Sequence, residues 1–202
     1  MDFSSPVQIN PCSPSSSASP LIWSPPAPNS FKLNFDGATK GNPGPAGYGG
    51  VFRDEMGTIR HIYHDNMGID TNNAAELEGI WKGICIAEQE NLYPLEVEGD
   101  SFIIIEAIIR IQAGSPASKT ATSWRLLSRL EQMEERLWIP RSITFRHIRQ
   151  TTNKVADRMA NQGVNQQINN FSSPLSDTND EQLQKECIAL AQQDYSIQAE
   201  RR

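Results

Sequence analysis

The stretch KLNFDGATKGNPGPAGYGG, residues 32–50, combines a strand pattern, an acidic residue and a loop rich in glycine and proline. Polar and apolar residues alternate over Lys32–Phe35, which predicts a β-strand that ends at Asp36. The following GATKGNPGPAG is typical of a turn-rich loop. Tyr48–Arg53 and Thr58–Tyr63 then predict the two strands of a β-hairpin. The stretch therefore places a carboxylate where a strand meets a loop, a common position for a functional site in α/β sheets.

The rest of the patterned region alternates helices with short strands. Helices are predicted over Asn73–Glu88, Asp100–Gln112, Ala121–Leu137 and Asn153–Gln162, and strands over Leu95–Glu98 and Ile143–His147. The order β-β-β-α-β-α-α-β-α predicts an α/β fold, with a five-stranded mixed sheet and helices on both faces. Gly163 is expected to end the last helix. His61 and His64, in and just after the second hairpin strand, are expected at the surface.

The 202 residues divide into one patterned domain and two polar tails. Residues 1–30 are rich in serine and proline and are predicted to form a disordered leader. Residues 31–164 hold the patterned domain. Residues 165–202 form a polar tail, in which a short helix is predicted at 181–193.

Composition argues against several classes of protein. Cys12, Cys85 and Cys187 are widely spaced and form no CxxC pair, which argues against zinc and fits a reducing compartment. Cys85 is expected to be buried. No apolar run approaches the ~20 residues of a membrane span. The first 31 residues contain no Lys or Arg, so neither a signal peptide nor a transit peptide is predicted. We expect an intracellular monomer without a membrane partner.

The net charge of −6 hides an asymmetry along the chain. Residues 31–109 carry five basic and 13 acidic side chains, whereas residues 110–158 carry ten basic and four acidic ones. This division suits a protein that places metal ions and contacts to a polyanion on different elements. Ordinary variation of charge along a chain is the alternative explanation.

Four acids in separate contexts are the candidate functional residues: Asp36, Glu76 in TNNAAELEGI, Asp100 in EGDS and Asp157 in NKVADRMAN. Each has a local alternative. Asp36 could be a turn residue, Glu76 part of a capping box opened by Asn73, Asp100 an N-cap, and Asp157 a charge on a helix face. Two of them follow predicted strands, however, and two begin predicted helices. Four converging carboxylates repel one another, and divalent cations such as Mg²⁺ or Mn²⁺ neutralise them. Two such ions catalyse cleavage of phosphodiesters.

The motifs DGATKGNPGPAGYGG, TNNAAELEGI, EGDS and HIRQTTNKVADRMA resemble the successive motifs of type 1 ribonuclease H, in the family's order over residues 31–164. The sequences of these motifs are similar to those of the plant branch of the family, which occurs as reverse-transcriptase-like domains often derived from retrotransposons. The resemblance implies a ribonuclease H-like fold. It also implies endonucleolytic hydrolysis of the RNA strand of an RNA–DNA hybrid, leaving 5′-phosphate and 3′-hydroxyl ends. Two Mg²⁺ ions, for which Mn²⁺ can substitute, are then held by Asp36, Glu76, Asp100 and Asp157.

The same resemblance assigns further residues. His147, ten residues before the last acid, is implied to assist proton transfer or product release. Contacts to the nucleic acid are implied at Gly37, Asn42, Thr71, Asn72 and Asn73, and Arg149 is a further candidate for phosphate contact. The chain departs from bacterial members in its short GSPASKTATSW segment, which lacks their basic protrusion. Phe102 stands where those members carry a glutamine that contacts RNA. A non-catalytic binding module, a hydrolase of duplex RNA and a protein partner at the tails remain open.

Overall fold

A computed structural model describes residues 23–137, 142–166, 171–178 and 180–196. Most of the predicted leader therefore lies outside the described residues. The strands are β1 (Phe31–Thr39), β2 (Gly44–Arg53), β3 (Ile59–Asp70), β4 (Leu95–Gly99), β5 (Ile143–His147) and β6 (Phe171–Pro174). The helices are α1 (Asn72–Gln89), α2 (Phe102–Gln112), α3 (Ala117–Thr120), α4 (Trp124–Leu137), α5 (Lys154–Asn165) and α6 (Glu181–Ser196). None of these helices is both long enough and apolar enough to cross a membrane.

One mixed sheet organises the fold, with the strand order β5-β4-β1-β2-β3-β6. β1, β2 and β3 form an antiparallel meander, and β4 and β5 add to the other side of β1 in parallel. All five predicted strands are present. The sixth, β6, pairs with the free edge of β3 and was not predicted. Its short sequence FSSP carries no local strand signal. Pairing with β3, and not local preference, holds β6 in place.

The two faces of the sheet carry different apolar clusters, as expected for an α/β fold with helices on both faces. The larger cluster packs α1, α2 and α4 against residues such as Leu33, Phe35 and Tyr63. The smaller cluster packs α5 and α6 against Val51 and Ile62. The prediction of helices on both faces is confirmed.

Several predicted boundaries are corrected. Asp36 lies inside β1, opposite Gly49 of β2, and not at the end of the strand. The helix predicted at Ala121–Leu137 begins only at Trp124, as α4, and the short α3 before it was not predicted. Gly163 lies within α5 and does not end it. A Cβ atom on Gly163 would lie 2.4 Å from the Asp65 carbonyl oxygen, so this glycine serves close packing of the helix on the sheet.

The two hairpin histidines are buried, which contradicts the prediction that they lie at the surface. β6 covers them: the His64 ring stacks on Phe171 with the centroids 4.6 Å apart, and His61 Nε2 lies 2.7 Å from Ser172 Oγ. Burial lowers the pKa of His64 to about 4. Cys85, expected to be buried, is only half-buried.

Segments on both sides of residues 31–164 pack onto the domain. The indole of Trp23 is buried, and its Nε1–H donates to Asn34 Oδ1 over 2.9 Å. The helix predicted at 181–193 is present as α6, and its buried residues Leu183 and Cys187 belong to the smaller apolar cluster. The folded unit therefore begins before residue 31 and continues beyond residue 164.

Candidate active site

Asp36 and Glu76 lie next to each other because α1 crosses β1 at a glycine. A Cβ atom on Gly37 would lie 2.2 Å from the Glu76 backbone nitrogen, so any larger residue would push the helix away from the strand. The Gly37 N–H donates to Asp36 Oδ1 over 2.8 Å. Gly37 was expected to contact nucleic acid. It lines the cleft described below, and its buried position makes close packing its evident structural role.

Asp100 reaches the same place from the neighbouring strand. It follows Gly99, the last residue of β4, which runs parallel to β1. One carboxylate oxygen from each of Asp36, Glu76 and Asp100 lies within 4.8 Å of those of the other two. The parallel register pairs Asn34 with Glu98, so Asp36 and Asp100, each two residues further along, are brought to the same place by the topology of the sheet.

The local alternatives for these acids do not match the structure. The N-cap of α1 is Thr71, so Glu76 lies beyond the first turn and is not part of a capping box at Asn73. Its side chain is 3% exposed. The N-cap of α2 is Ser101, and not Asp100.

Asp157 completes the group of acids from α5, on the opposite side of the sheet from α1. It is half-buried and lines the same cleft, outside the tight cluster of three. Asn161 Nδ2 donates to Asp157 Oδ1 over 3.1 Å. A Cβ atom on Gly49 would lie 2.5 Å from the Met159 side chain, so α5 lies as close to β2 as α1 lies to β1.

Asn153 holds the start of α5 and was not identified from the sequence. Its Nδ2 donates to the Phe35 carbonyl oxygen over 2.9 Å, next to Asp36, and its buried Oδ1 has no partner in the described part of the chain. A hydrogen bond from Asn153 also favours the ionised form of Asp100. The only sequence signal was an asparagine at a helix start, which ordinarily indicates an N-cap.

Burial raises the pKa values of all four acids, and repulsion from neighbouring acids adds to it for Asp36, Glu76 and Asp100. Desolvation is the largest cause for each of them. For Asp36 the charges of Asp100 and Asp157 add to it, and for Glu76 the charge of Asp36 does. In the described ranges none of the four forms an ion pair with Lys or Arg. In the described part of the chain the site therefore holds negative charge at close quarters without a Lys or Arg to balance it.

His147, at the end of β5, stands at the rim of this site. Its Nε2 lies 3.1 Å from the Asp100 carbonyl oxygen, which makes Nε2 the donor in that contact. Its charge lowers the pKa of Asp100. The ring of Phe102, which is 62% exposed, meets the imidazole edge-to-face with the centroids 5.5 Å apart.

Of the residues expected to contact nucleic acid, Gly37 and Asn72 line the acidic cleft, whereas Asn42, Thr71, Asn73 and Arg149 are not among the residues that line it. Thr71 Oγ1 accepts from the Ala74 N–H over 3.4 Å, and Asn42 Oδ1 accepts from the Asn72 N–H over 3.2 Å. Asn73 is half-buried in the first turn of α1, and Arg149 is exposed after β5. An open cleft of about 390 Å³ joins these elements. It is lined by Asp36, Gly37, Ala38, Thr39, Asn72, Glu76, Asp100, Ser101, Gln150, Asp157 and Asn161.

The donor set fits divalent metal ions. Every candidate ligand is a carboxylate oxygen, the type that Mg²⁺ and Mn²⁺ prefer. Glu76 Oε2 is buried and has no hydrogen-bond partner in the described residues, so it is available to a cation. Asp36, Glu76 and Asp100 could hold one ion between them, and Asp157 faces the same cleft.

Comparison with known proteins places the chain in a family. A model of the reverse transcriptase-like family matches residues 34–163, so the chain belongs to that family. Ribonuclease HI of Halobacterium salinarum is 30% identical over 130 residues, covering 64% of this chain and 62% of that protein. A longer protein of Arabidopsis thaliana is 32% identical over 140 residues, covering 69% of this chain and 21% of that protein. The chain thus spans less than two thirds of the length of these relatives.

Solved structures agree on the fold. The crystal structure of ribonuclease H1 from Halobacterium salinarum superimposes with a TM-score of 0.56 at 27% identity, covering 67% of this chain and 98% of that one. The crystal structure of LC11-RNase H1 in complex with an RNA/DNA hybrid superimposes with a TM-score of 0.54 at 26% identity, covering 67% and 97%. The fold is therefore the ribonuclease H fold, which confirms the fold class expected from the sequence.

Proposed function

We propose that this protein is an endonuclease that hydrolyses the RNA strand of RNA–DNA hybrids. The observation that carries the proposal is the convergence of Asp36, Glu76 and Asp100 within 4.8 Å at an open cleft, with no ion pair to Lys or Arg among the described residues. Buried like charges raise the free energy of the folded protein unless a ligand neutralises them. Such an arrangement is costly for stability and is suited to binding cations and phosphate together.

Two Mg²⁺ ions, or Mn²⁺ in their place, are the proposed cofactors, held by Asp36, Glu76, Asp100 and Asp157. When bound, such ions activate a water molecule and stabilise the leaving oxygen of a phosphodiester. The protein itself supplies no nucleophile in this proposal. Its carboxylates hold the cations, and burial of Glu76 keeps one ligand shielded from bulk water.

His147 is proposed to move a proton at the edge of the cleft. An imidazole has one ring nitrogen that can accept a proton and one that can donate it, so it can act as a general base and a general acid during each turnover. Its contact with the Asp100 carbonyl oxygen orients the ring through Nε2. The exposed Phe102 ring holds the imidazole from another side.

Substrate binding is proposed along the opening formed by Asn42, Thr71, Asn72, Asn73 and Arg149. The amides and the helix start provide hydrogen bonds to sugar and phosphate, and Arg149 offers an exposed charge for phosphate. A similar solved structure is described as a complex with an RNA/DNA hybrid, which supports this substrate class. We also infer that the chain is of type 1 and of the plant, retrotransposon-derived branch; the motif wording and the Arabidopsis relative support this.

The test is incubation of the purified protein with labelled RNA–DNA hybrid, duplex RNA and duplex DNA, each with Mg²⁺, Mn²⁺ or EDTA. We expect metal-dependent loss of the RNA strand of the hybrid alone, with 5′-phosphate and 3′-hydroxyl ends. Cleavage of duplex RNA at a similar rate would change the substrate assignment. Binding of the hybrid without cleavage in the presence of either metal would indicate that the protein is a binding module and not an enzyme.

A further inference from the structure

The C-terminal helix α6 packs on α5, the helix that carries Asp157 and begins at Asn153. Val155 and Met159 of α5 share one apolar cluster with Leu183, Cys187 and Ala191 of α6. Leu183 and Cys187 are buried. α5 is therefore held by the sheet and by α6 together.

Polar contacts join the same two helices along their length. Arg158 Nη2 lies 2.8 Å from Glu186 Oε2, and Lys154 Nζ donates to Gln193 Oε1 over 3.2 Å. At the far end of α6, Asp194 is 0% exposed and lies 2.9 Å from Arg53 Nη2 on β2. These contacts fix the angle and the register of α6 against α5, which apolar packing alone does not do.

The start of α5 relies on contacts from elsewhere in the chain. Its N-cap residue, Asn153, makes no side-chain cap hydrogen bond, since its amide is bonded to the Phe35 carbonyl oxygen. The buried carboxylate of Asp194 lies near the Lys154 backbone N–H in the first turn, without a geometric hydrogen bond between them. A negative charge at this end of a helix interacts favourably with its dipole. Asp194 thus supports the turn that presents Asp157 to the cleft.

We propose that α6 is a positioning element of the active site: it holds α5 where Asp157 and Asn153 face Asp36 and Asp100. The family model ends at residue 163, so α6 is an addition of this chain to the matched region. A shift of α5 by a fraction of an ångström would change the spacing of Asp157 from the other acids, and metal affinity depends on such spacing. The inference rests on the proposed metal site, and not on which nucleic acid is cleaved.

The experiment compares two leucine truncations in the full-length chain. Leu183→Ala removes packing between α6 and α5, whereas Leu130→Ala removes an equally buried side chain of α4 in the other cluster. Both are expected to lower the melting temperature. The dissociation constant for Mn²⁺ is then measured by calorimetry without nucleic acid, at a temperature where melting curves show both variants folded.

We expect Leu183→Ala to weaken Mn²⁺ binding about tenfold and Leu130→Ala to leave it unchanged. Equal weakening in both variants, or in neither, would overturn the positioning role. If the wild-type protein binds Mn²⁺ but cleaves no hybrid, the proposed substrate fails while this comparison still decides the role of α6.

A milder pair of variants covers the case in which Leu183→Ala does not fold. Glu186→Gln breaks the ion pair with Arg158 on α5, and Glu181→Gln removes the same charge from an ion pair within α6. We expect about twofold weaker Mn²⁺ binding for Glu186→Gln alone, as for a partly exposed ion pair. An equal effect of Glu181→Gln would mean that net charge is responsible, and would count against positioning.

Discussion

Two polar clusters lie along one face of β1, with Asn34 between them. At one end, Lys32 and Arg53 are buried beside Glu98 and Asp194: Lys32 Nζ lies 2.9 Å from Glu98 Oε1, and Arg53 Nη2 lies 2.9 Å from Asp194 Oδ2. At the other end, the cluster around Asp36 contains carboxylates only.

This difference in charge balance distinguishes a structural cluster, at Lys32 and Arg53, from a candidate functional cluster, at Asp36. Each charge in the first cluster has an opposite charge within the chain, and the ring of Trp23 covers Arg53 with its guanidinium 4.5 Å from the centroid. The charges of that cluster are balanced within the chain, although Asp194 Oδ1 is buried without a hydrogen-bond partner among the described residues. The cluster joins the segment at Trp23 and α6 to the sheet. The acid cluster is incomplete, because like charges raise one another's pKa values and no Lys or Arg in the described ranges pairs with them. An incomplete buried cluster indicates a ligand site.

The largest expected effect comes from Asp36→Asn. We expect turnover on the hybrid to fall by about 10³-fold or more, because a ligand to the proposed metals is lost. In EDTA the free energy of unfolding should rise, because a buried charge repelled by Asp100 and Asp157 has been removed. Urea titrations in EDTA and steady-state rates measure the two effects. Asp177→Asn, at an exposed acid, is the control that should change neither. A less stable Asp36→Asn protein would show that Asp36 has a structural role, and would contradict the distinction drawn between the acid cluster and the cluster at Arg53.

Arg53→Met tests the opposite cluster. It leaves Asp194 buried without its partner, so we expect the free energy of unfolding to fall by about 3–5 kcal/mol. The double variant Arg53→Met with Asp194→Leu should recover much of this loss, since both charges are then gone. Arg60→Met, at an exposed side chain 3.9 Å from Asp54, should cost less than about 1 kcal/mol. Urea denaturation measures all three variants. A loss for Arg53→Met as small as that for Arg60→Met would show that the buried pair is not a structural element.

His147→Ala is expected to lower turnover by about 10²-fold, the lower end of the range for proton transfer by a side chain. The melting temperature should change little, because the imidazole is half-buried at the rim of the cleft. Single-turnover rates on the hybrid, measured with saturating protein, separate the chemical step from product release. Unchanged rates in both single-turnover and steady-state conditions would remove His147 from the mechanism.

The smallest expected effect is on the pH dependence of stability. The folded-state pKa values of Asp36, Glu76, Asp100 and Asp157 are raised above their ordinary values of 3.8 for Asp and 4.5 for Glu. Protonation of these acids therefore favours the folded state, so their contribution to the stability of the metal-free protein should grow as the pH falls through these raised values towards pH 4.5.

Urea titrations in EDTA between pH 8 and pH 5 measure this slope, which should be shallower in Asp36→Asn because one of the repelling acids is gone. Saturating Mg²⁺ should raise the stability most at the high-pH end, where the carboxylates are ionised. The buried His61 and His64, whose pKa values are lowered, oppose this gain equally in both proteins, so the comparison is between the two slopes. Equal slopes in the wild-type protein and in Asp36→Asn would contradict the raised pKa values.

The sequence predicted the core of the fold because its signals are local. Alternation over Lys32–Phe35 and helical spacing over Asn73–Glu88 predict their elements without knowledge of the partners. Boundaries were less accurate where a residue serves a distant contact: Gly163 packs on Asp65 and lies within α5, although its type indicated a helix end. His61 and His64 were predicted to lie at the surface because no local sequence pattern indicates that β6 pairs with β3 and covers them.

The candidate site divides in the same way. The four acids could be selected from their motifs, and their predicted places at strand ends and helix starts implied convergence. Asn153 could not, because its role depends on reaching the Phe35 carbonyl oxygen, 118 positions away in the sequence. Asp194 could not either, since it meets Arg53 across 141 positions.

The sequence by itself determined the order of the main strands and helices from β1 to α5 and the oxygen-ligand chemistry of the acids, because periodicity and residue type act over a few neighbouring positions. Only the tertiary structure decided which charges are neutralised within the chain and which are not. That outcome depends on distances between residues far apart in sequence, such as Lys32 with Glu98 and Arg53 with Asp194. The acids at the other end of β1 have no such partner among the described residues, and this difference marks them as the candidate site.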